Sequence, residues 1–201
     1  MKLSNKQLLI TVGLLCMSML AIGFIGCSKD SPLAPDNKFN QTAGINKQIK
    51  FIPWNTPSSS FKKVLSVSEW ITRAEGGSLS IQFEDSLTNT IRGEISLTIG
   101  AGAIDRDKNV QLSINDKNLD FHFGPSGTQF APEARFSLWI SGLDIMEINP
   151  DKVNLFYFEP GSGNWDAVPN EGVQVDLQNG YIKITNARLP HFSRYTLGED
   201  D

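Results

Sequence analysis

Two cysteines, two histidines and no surplus of basic residues leave this 201-residue chain short of the usual side chains of metal, redox and nucleic-acid chemistry. Cys16 lies inside an uncharged run from Leu8 to Ile25, and Cys27 follows that run. Processing just before Cys27 would leave one thiol, which excludes an intramolecular disulfide and a thiolate metal cluster. Asp and Glu outnumber Lys and Arg by 22 to 18, and removing residues 1–26 takes away only Lys2 and Lys6, leaving 16 basic against 22 acidic side chains, or −6. Nucleic acid, whose phosphates need a basic face, is excluded as a partner by that balance. No Gly-rich loop leads into a helical pattern, so nucleotide binding by that route is not indicated. No carboxylate pair stands out for glycosidic work. A conventional enzyme is not expected, nor is a cofactor.

What is present begins with the leader. MKLSNKQ carries Lys2 and Lys6, the apolar run follows, and the chain turns polar at Gly26-Cys27-Ser28-Lys29-Asp30. A short basic segment, an apolar run and a small residue at its end are the three parts of a secretory signal. An uncleaved membrane helix is the competing reading, since about 18 apolar residues is also the lower limit for spanning a bilayer. Phe24-Ile25-Gly26-Cys27 resembles the lipobox of bacterial lipoproteins, with Phe24 in place of the usual Leu. That resemblance implies a signal peptide over 1–26, a signal-peptide helix, and diacylglycerol on the Cys27 thiol. Several acyl chains then hold the protein to membrane lipid, each buried methylene contributing about 0.8 kcal/mol. Ser28 rather than Asp after the lipidated position implies, in the lipoprotein sorting rule, an outer-membrane destination, periplasmic or surface-facing.

Residues 27–63 read as the lipidated cysteine and a disordered tether: Pro32, Pro35, Pro53 and Pro57, the run Ser58-Ser59-Ser60 and several Asn show no sustained period. Phe51, Ile52, Trp54 and Phe61 interrupt it with apolar side chains, which the simplest reading docks on the body.

Residues 64–201 read as strands. Across the whole chain, hydrophobic content of 40% with 12 Phe, 4 Trp and 3 Tyr is enough for a core. Period-two alternation runs through Leu65, Val67 and Trp70; Leu79, Ile81 and Phe83; Ile91, Ile95, Leu97 and Ile99; and Val110, Leu112 and Ile114. It resumes in Phe136, Leu138 and Ile140; Val153, Leu155 and Tyr157; Val173, Val175 and Leu177; and Ile182 and Ile184. No stretch past residue 64 keeps the helical period for three turns. Asn179-Gly180 is the strongest hairpin signal and predicts that 173–177 pair with 181–185. The expected fold is all-β, an antiparallel β-sandwich, with Trp165 covering one open end.

Four motifs then carry a family likeness: Gly76-Gly77-Ser78-Leu79; Leu97-Thr98-Ile99-Gly100-Ala101-Gly102-Ala103-Ile104; Phe123-Gly124-Pro125-Ser126-Gly127-Thr128-Gln129-Phe130-Ala131-Pro132; and His191-Phe192-Ser193-Arg194-Tyr195. In this order they resemble the ZU-five domain of zonula-occludens proteins, netrin receptors and ankyrins, over a core of about residues 74–198. Gly100 stands where the family usually has Pro, and Ile104 where it has Leu.

The resemblance implies one chemical possibility, because some relatives cut themselves between Phe and Ser of a His-Phe-Ser motif. Here the bond would be Phe192-Ser193, with Ser193 Oγ attacking the preceding carbonyl and His191 as base. The plainer reading buries Phe192 and Tyr195 to seal the last strand and leaves His191 an ordinary hydrogen bond. His122 with Asp120 has the spacing of a metal pair, and Asp105, Asp107, Asn109 and Asp116, Asn118, Asp120 have that of calcium loops. Neither calcium run has the expected Gly and distal Glu, and a lone His between aromatics is ordinarily a strand residue, so no metal is expected. Taken together, the expectation is a lipid-anchored cell-envelope module with a non-enzymatic binding or structural role toward an envelope protein or polysaccharide, self-processing at Phe192-Ser193 being the alternative.

Overall fold

The alternation becomes strands throughout the part of the chain that the structure describes. The computed structural model describes residues 48–53, 65–84, 91–115 and 119–200, all within the unit Ala43–Asp201. The leader over 1–26, Cys27 and most of the stretch read as tether lie outside the described residues, as do Trp54, Phe61, Asp116 and Asn118.

Among the described residues there are twelve strands: β1 (Ile49–Phe51), β2 (Leu65–Ile71), β3 (Gly77–Glu84), β4 (Arg92–Ile99), β5 (Lys108–Ile114), β6 (Asp120–Gly124), β7 (Gln129–Ser141), β8 (Val153–Glu159), β9 (Asn164–Ala167), β10 (Gly172–Asp176), β11 (Tyr181–His191) and β12 (Arg194–Asp200). No helix among these residues is long and apolar enough to cross a membrane. All pairings are antiparallel. The order β2-β5-β6-β12-β8-β9, with β1 alongside the end of β12, makes a seven-stranded sheet, and β10-β11-β7-β4-β3 makes a five-stranded one. The chain forms the expected antiparallel β-sandwich.

Successive side chains on a strand point to opposite faces. In β4 this buries Ile95, Leu97 and Ile99 and leaves Arg92, Glu94, Ser96 and Thr98 outward. Val110, Leu112 and Ile114 of β5 and Phe136, Leu138 and Ile140 of β7 do the same, and these sets join in one core between the sheets. Phe136 bridges the layers, its ring centroid 5.3 Å from that of Phe121 and 5.6 Å from that of Phe123. Burying one such side chain contributes about 1.5–3 kcal/mol.

Three local expectations change. Trp70 is not a core residue: it is 64% exposed, because the pairing of Val67 with Leu112 sets the parity of β2 and gives the buried position to Ile71. The hairpin at Asn179-Gly180 forms, but its last pair is Asp176 with Tyr181, so Leu177 belongs to the turn rather than to the strand. The Asp176 carboxylate accepts from the backbone N–H of Gln178 at 3.0 Å and of Asn179 at 3.1 Å, closing a longer turn locally, and Gly180 takes φ +58° against the Leu143 backbone.

The third change concerns the tether. Ile49–Phe51, within the stretch 27–63 assigned to it, pairs with Gly198–Asp200 of β12, and the Ile52 N–H donates to the Leu197 carbonyl at 3.2 Å. Ile49 and Ile52 are both buried, which holds this short strand in place. Of the tether's apolar side chains, Ile52 enters the main core and Phe51 lies edge-on to Trp165 at 5.5 Å. Trp165 packs on the outer face of the larger sheet with Ile49, Phe156 and Phe158, rather than over an open end.

Candidate binding cleft at the sheet crossover

β11 belongs to the five-stranded sheet and β12 to the seven-stranded one, and only Phe192 and Ser193 separate them. The His-Phe-Ser motif is therefore the point where the chain crosses between layers. Phe192 is 2% exposed, stacked on Phe123 at 5.4 Å and edge-on to Phe130 at 4.8 Å. Its N–H donates to the Thr128 carbonyl at 2.8 Å. The crossover is thus pinned by an apolar plug and a backbone hydrogen bond together.

The flanking polar groups have partners too. The Ser193 hydroxyl donates to the Phe158 carbonyl at 3.0 Å. The buried Tyr195 hydroxyl donates to the His191 carbonyl. The His191 ring stands perpendicular to that of Tyr157 at 5.5 Å. Burial raises the Tyr195 phenol well above its ordinary pKa, with the Tyr157 phenol adding to it, so Tyr195 stays a neutral donor at any physiological pH.

An open cleft of about 690 Å³ lies over this crossover. His191, Phe192 and Ser193 line it together with His122, Ser126, Gln129, Glu159 and Arg194. Both histidines of the chain thus meet in one place. They arrive from different sheets: β6 brings His122 opposite Arg194 of β12, while β11 ends on His191. Arg194 reaches Asp120 at 2.7 Å, and its guanidinium lies 5.3 Å from the centre of the Trp165 ring. Asp120 is 2% exposed, and its second oxygen has no hydrogen-bond partner among the described residues.

For self-cleavage the Ser193 oxygen must give up its proton to a base as it attacks the Phe192 carbonyl. Here the hydroxyl proton is directed at the Phe158 carbonyl, while the His191 ring engages Tyr157. The carboxylates considered for metals also have protein partners. Asp105 pairs with Lys108 at 2.6 Å, which holds its carboxyl below the usual range, and Asp107 accepts from the Arg73 N–H at 2.8 Å. Among the described residues no three acidic, histidine or cysteine side chains are disposed around a common metal position. The cleft offers two imidazoles, a guanidinium, a carboxylate, hydroxyls and an amide on strands fixed by both sheets, which suits recognition of a polar ligand.

The four sequence motifs are joined in space. A Cβ on Gly76, at φ +72°, would fall 2.2 Å from the Ile99 carbonyl oxygen, so the first motif closes directly on the second. The Ala131 N–H donates to the Ala103 carbonyl at 2.9 Å, joining the third to the second, and the Phe192 N–H joins the fourth to the third. The motifs thus form one continuous backbone path leading to the cleft. Comparison with models of protein families and with curated proteins finds no match to the chain.

Proposed function

We propose that this protein is a cell-envelope lipoprotein, exported by residues 1–26 and anchored to membrane lipid through Cys27, whose ZU-five-like sandwich is a non-enzymatic module for binding an envelope protein or polysaccharide. The observation that carries the module reading is the crossover cleft. Its polar groups are set on strands of both layers, and the Ser193 hydroxyl is held as a donor to a main-chain carbonyl. The anchor reading rests on the basic, apolar and small-residue parts of the leader and on the lipobox-like Phe24-Ile25-Gly26-Cys27. β1, beginning at Ile49, falls within the stretch 27–63 read as tether.

Intact-mass measurement of the protein extracted from its own membranes, under denaturing conditions, tests both halves. The expected species starts at an acylated Cys27 and runs unbroken through Phe192-Ser193. An intact Met1 or a bare Cys27 would overturn the anchor. A break after Phe192 that Ser193→Ala abolishes would replace the binding module by a self-processing domain.

A further inference from the structure

Two of the nitrogen-bearing side chains of the crossover cleft stand directly opposite each other. β6 and β12 pair His122 with Arg194, and directly opposed side chains share a face of the sheet, with Cβ atoms about 4.5–5.5 Å apart. Both point away from the core, because Phe121 and Phe123 beside the one and Tyr195 beside the other are buried inward. His191 reaches the same cleft from the end of β11. The chain has two histidines, so the strands gather all of its imidazole around one guanidinium. Like charges set opposite each other destabilise a strand pair, and an anion held between them relieves that repulsion.

The anions already nearby are engaged. Asp120, which does not line the cleft, takes one Nη of Arg194 at 2.7 Å. A guanidinium has five N–H donors, and the Arg194 side chain is 43% exposed, so it keeps donors for a ligand. Glu159 does line the cleft, and its carboxylate accepts from the Gly161 N–H at 3.3 Å within its own turn. With both imidazoles protonated, the three cations of His122, His191 and Arg194 stand against these two carboxylates, on a chain whose formal charge is −4. The local sign is then opposite to that of the whole. A cationic occupant would meet like charges there, and a neutral one would displace their water without neutralising any of them. A carboxylate or phosphate accepts charge-assisted hydrogen bonds from guanidinium and imidazolium alike. Gln129 and Ser126 add neutral donors to the same lining.

We infer that the crossover cleft is an anion site, in which Arg194, His122 and His191 take a carboxylate or phosphate group of the ligand. The inference rests on the binding role proposed above for this cleft and adds the charge of what is bound.

The test is nuclear magnetic resonance of the full-length chain in an uncharged polyoxyethylene detergent, with histidine labelled at Cε1. Because both histidines line the cleft, their two signals report on it alone. Inorganic phosphate, glucuronate and glucose are titrated separately at constant ionic strength and at about pH 6, where a free imidazole is mostly protonated. The expected result is a saturable shift of both signals with phosphate, glucuronate or both, the tighter of the two naming the anionic group, and none with glucose. Arg194→Gln weakens anion binding by about tenfold or more and Arg194→Lys recovers part of the loss. Lys183→Gln, on the outer face of the five-stranded sheet, leaves it unchanged. Should a thermal melt show that Arg194→Gln does not fold, His122→Ala, at an exposed position, carries the same expectation, read on the remaining His191 signal. The absence of a saturable shift with either anion overturns the inference, and so does a loss in Lys183→Gln equal to that in Arg194→Gln, which would mean general charge rather than a site. Glucose shifting the signals as strongly as glucuronate would overturn it too, while keeping the cleft as a binding site. A chain found cut after Phe192 would remove the binding role on separate evidence, whereas an uncut chain whose imidazoles ignore both anions would remove the anion site alone.

Discussion

On the outer face of the seven-stranded sheet, Phe156, Phe158 and Trp165 gather Ile49 and Phe51 from β1 into a second apolar cluster, and Arg194 lies across the Trp165 ring. Thr196 and Asp120, also outward on that sheet, are buried with polar partners in Leu119 and Arg194. On the outer face of the five-stranded sheet, one indole stands among amides, serines and balanced charges. Both faces come from the same two-residue alternation, so the difference lies in what each strand places at its outward positions. Where those positions are aromatic, the chain adds a further strand from its N-terminal side to cover them. Where they are small and polar, no further strand is laid over them among the described residues.

The two tryptophans give the sharpest way to break that contrast. Trp165 has ring neighbours in Phe51 and Phe158 and the guanidinium of Arg194, whereas none of the ring or cation contacts among the described residues involves Trp139. Trp165→Ala is expected to cost about 3 kcal/mol, at the low end for a large aromatic because β9 is an edge strand, and Trp139→Ala no more than about 1 kcal/mol. Chemical denaturation of the two variants measures both. Equal losses would mean that Trp139 is part of the packing, and the open face would then be structural.

Arg194 comes next. Its removal by Arg194→Ala leaves the buried Asp120 carboxylate without its cation and uncovers Trp165. A fully buried broken pair costs about 3–5 kcal/mol; Arg194 is half exposed, so about 2 kcal/mol is expected. If Asp120→Asn in the same background restores most of that loss, the cost came from the stranded charge. If it restores nothing, the cation over Trp165 is what seals this face.

Which parts of this were legible beforehand follows from how local the cause was. The runs at 91–99, 108–114 and 136–140 alternate cleanly enough that strand and buried face were readable at once, and the sandwich followed from their number and spacing. Trp70 does not share the parity of Leu65 and Val67, and that parity, fixed by pairing with β5, turns Trp70 outward. β1 was missed because three residues are too few to show a period, and its pairing depends on β12 at the other end of the chain. The crossover residues were found through the His-Phe-Ser motif, but the arrival of His122 beside them depends on how β6 and β12 pair. Trp139 is passed over by the alternation of Phe136, Leu138 and Ile140, although its place between two of those core positions already turns it outward.

The smallest effect concerns Tyr195, which ties the crossover shut between the two sheets. Its hydroxyl donates to the His191 carbonyl from a buried position, and Tyr195→Phe removes that bond without opening a cavity, for an expected loss of about 1 kcal/mol near neutral pH. The same burial makes the loss depend on pH. The folded-state pKa of Tyr195 is raised above the value of about 10 that the unfolded chain has. Stability from this group is therefore fully present below about pH 10 and is lost as the pH rises beyond it, because the unfolded chain then binds fewer protons than the folded one. Tyr157 shifts in the same direction, through desolvation and then the nearby Asp166 charge, so it adds to the alkaline slope. Melting temperatures followed from pH 8 to 11 should fall more steeply for the wild-type chain than for Tyr195→Phe, roughly over the interval above pH 10. Tyr157→Phe, whose ring is only partly buried, should flatten the curve less. Identical slopes in all three proteins would mean that water reaches the Tyr195 hydroxyl, and the crossover would then be an opening between the sheets rather than a closed seam.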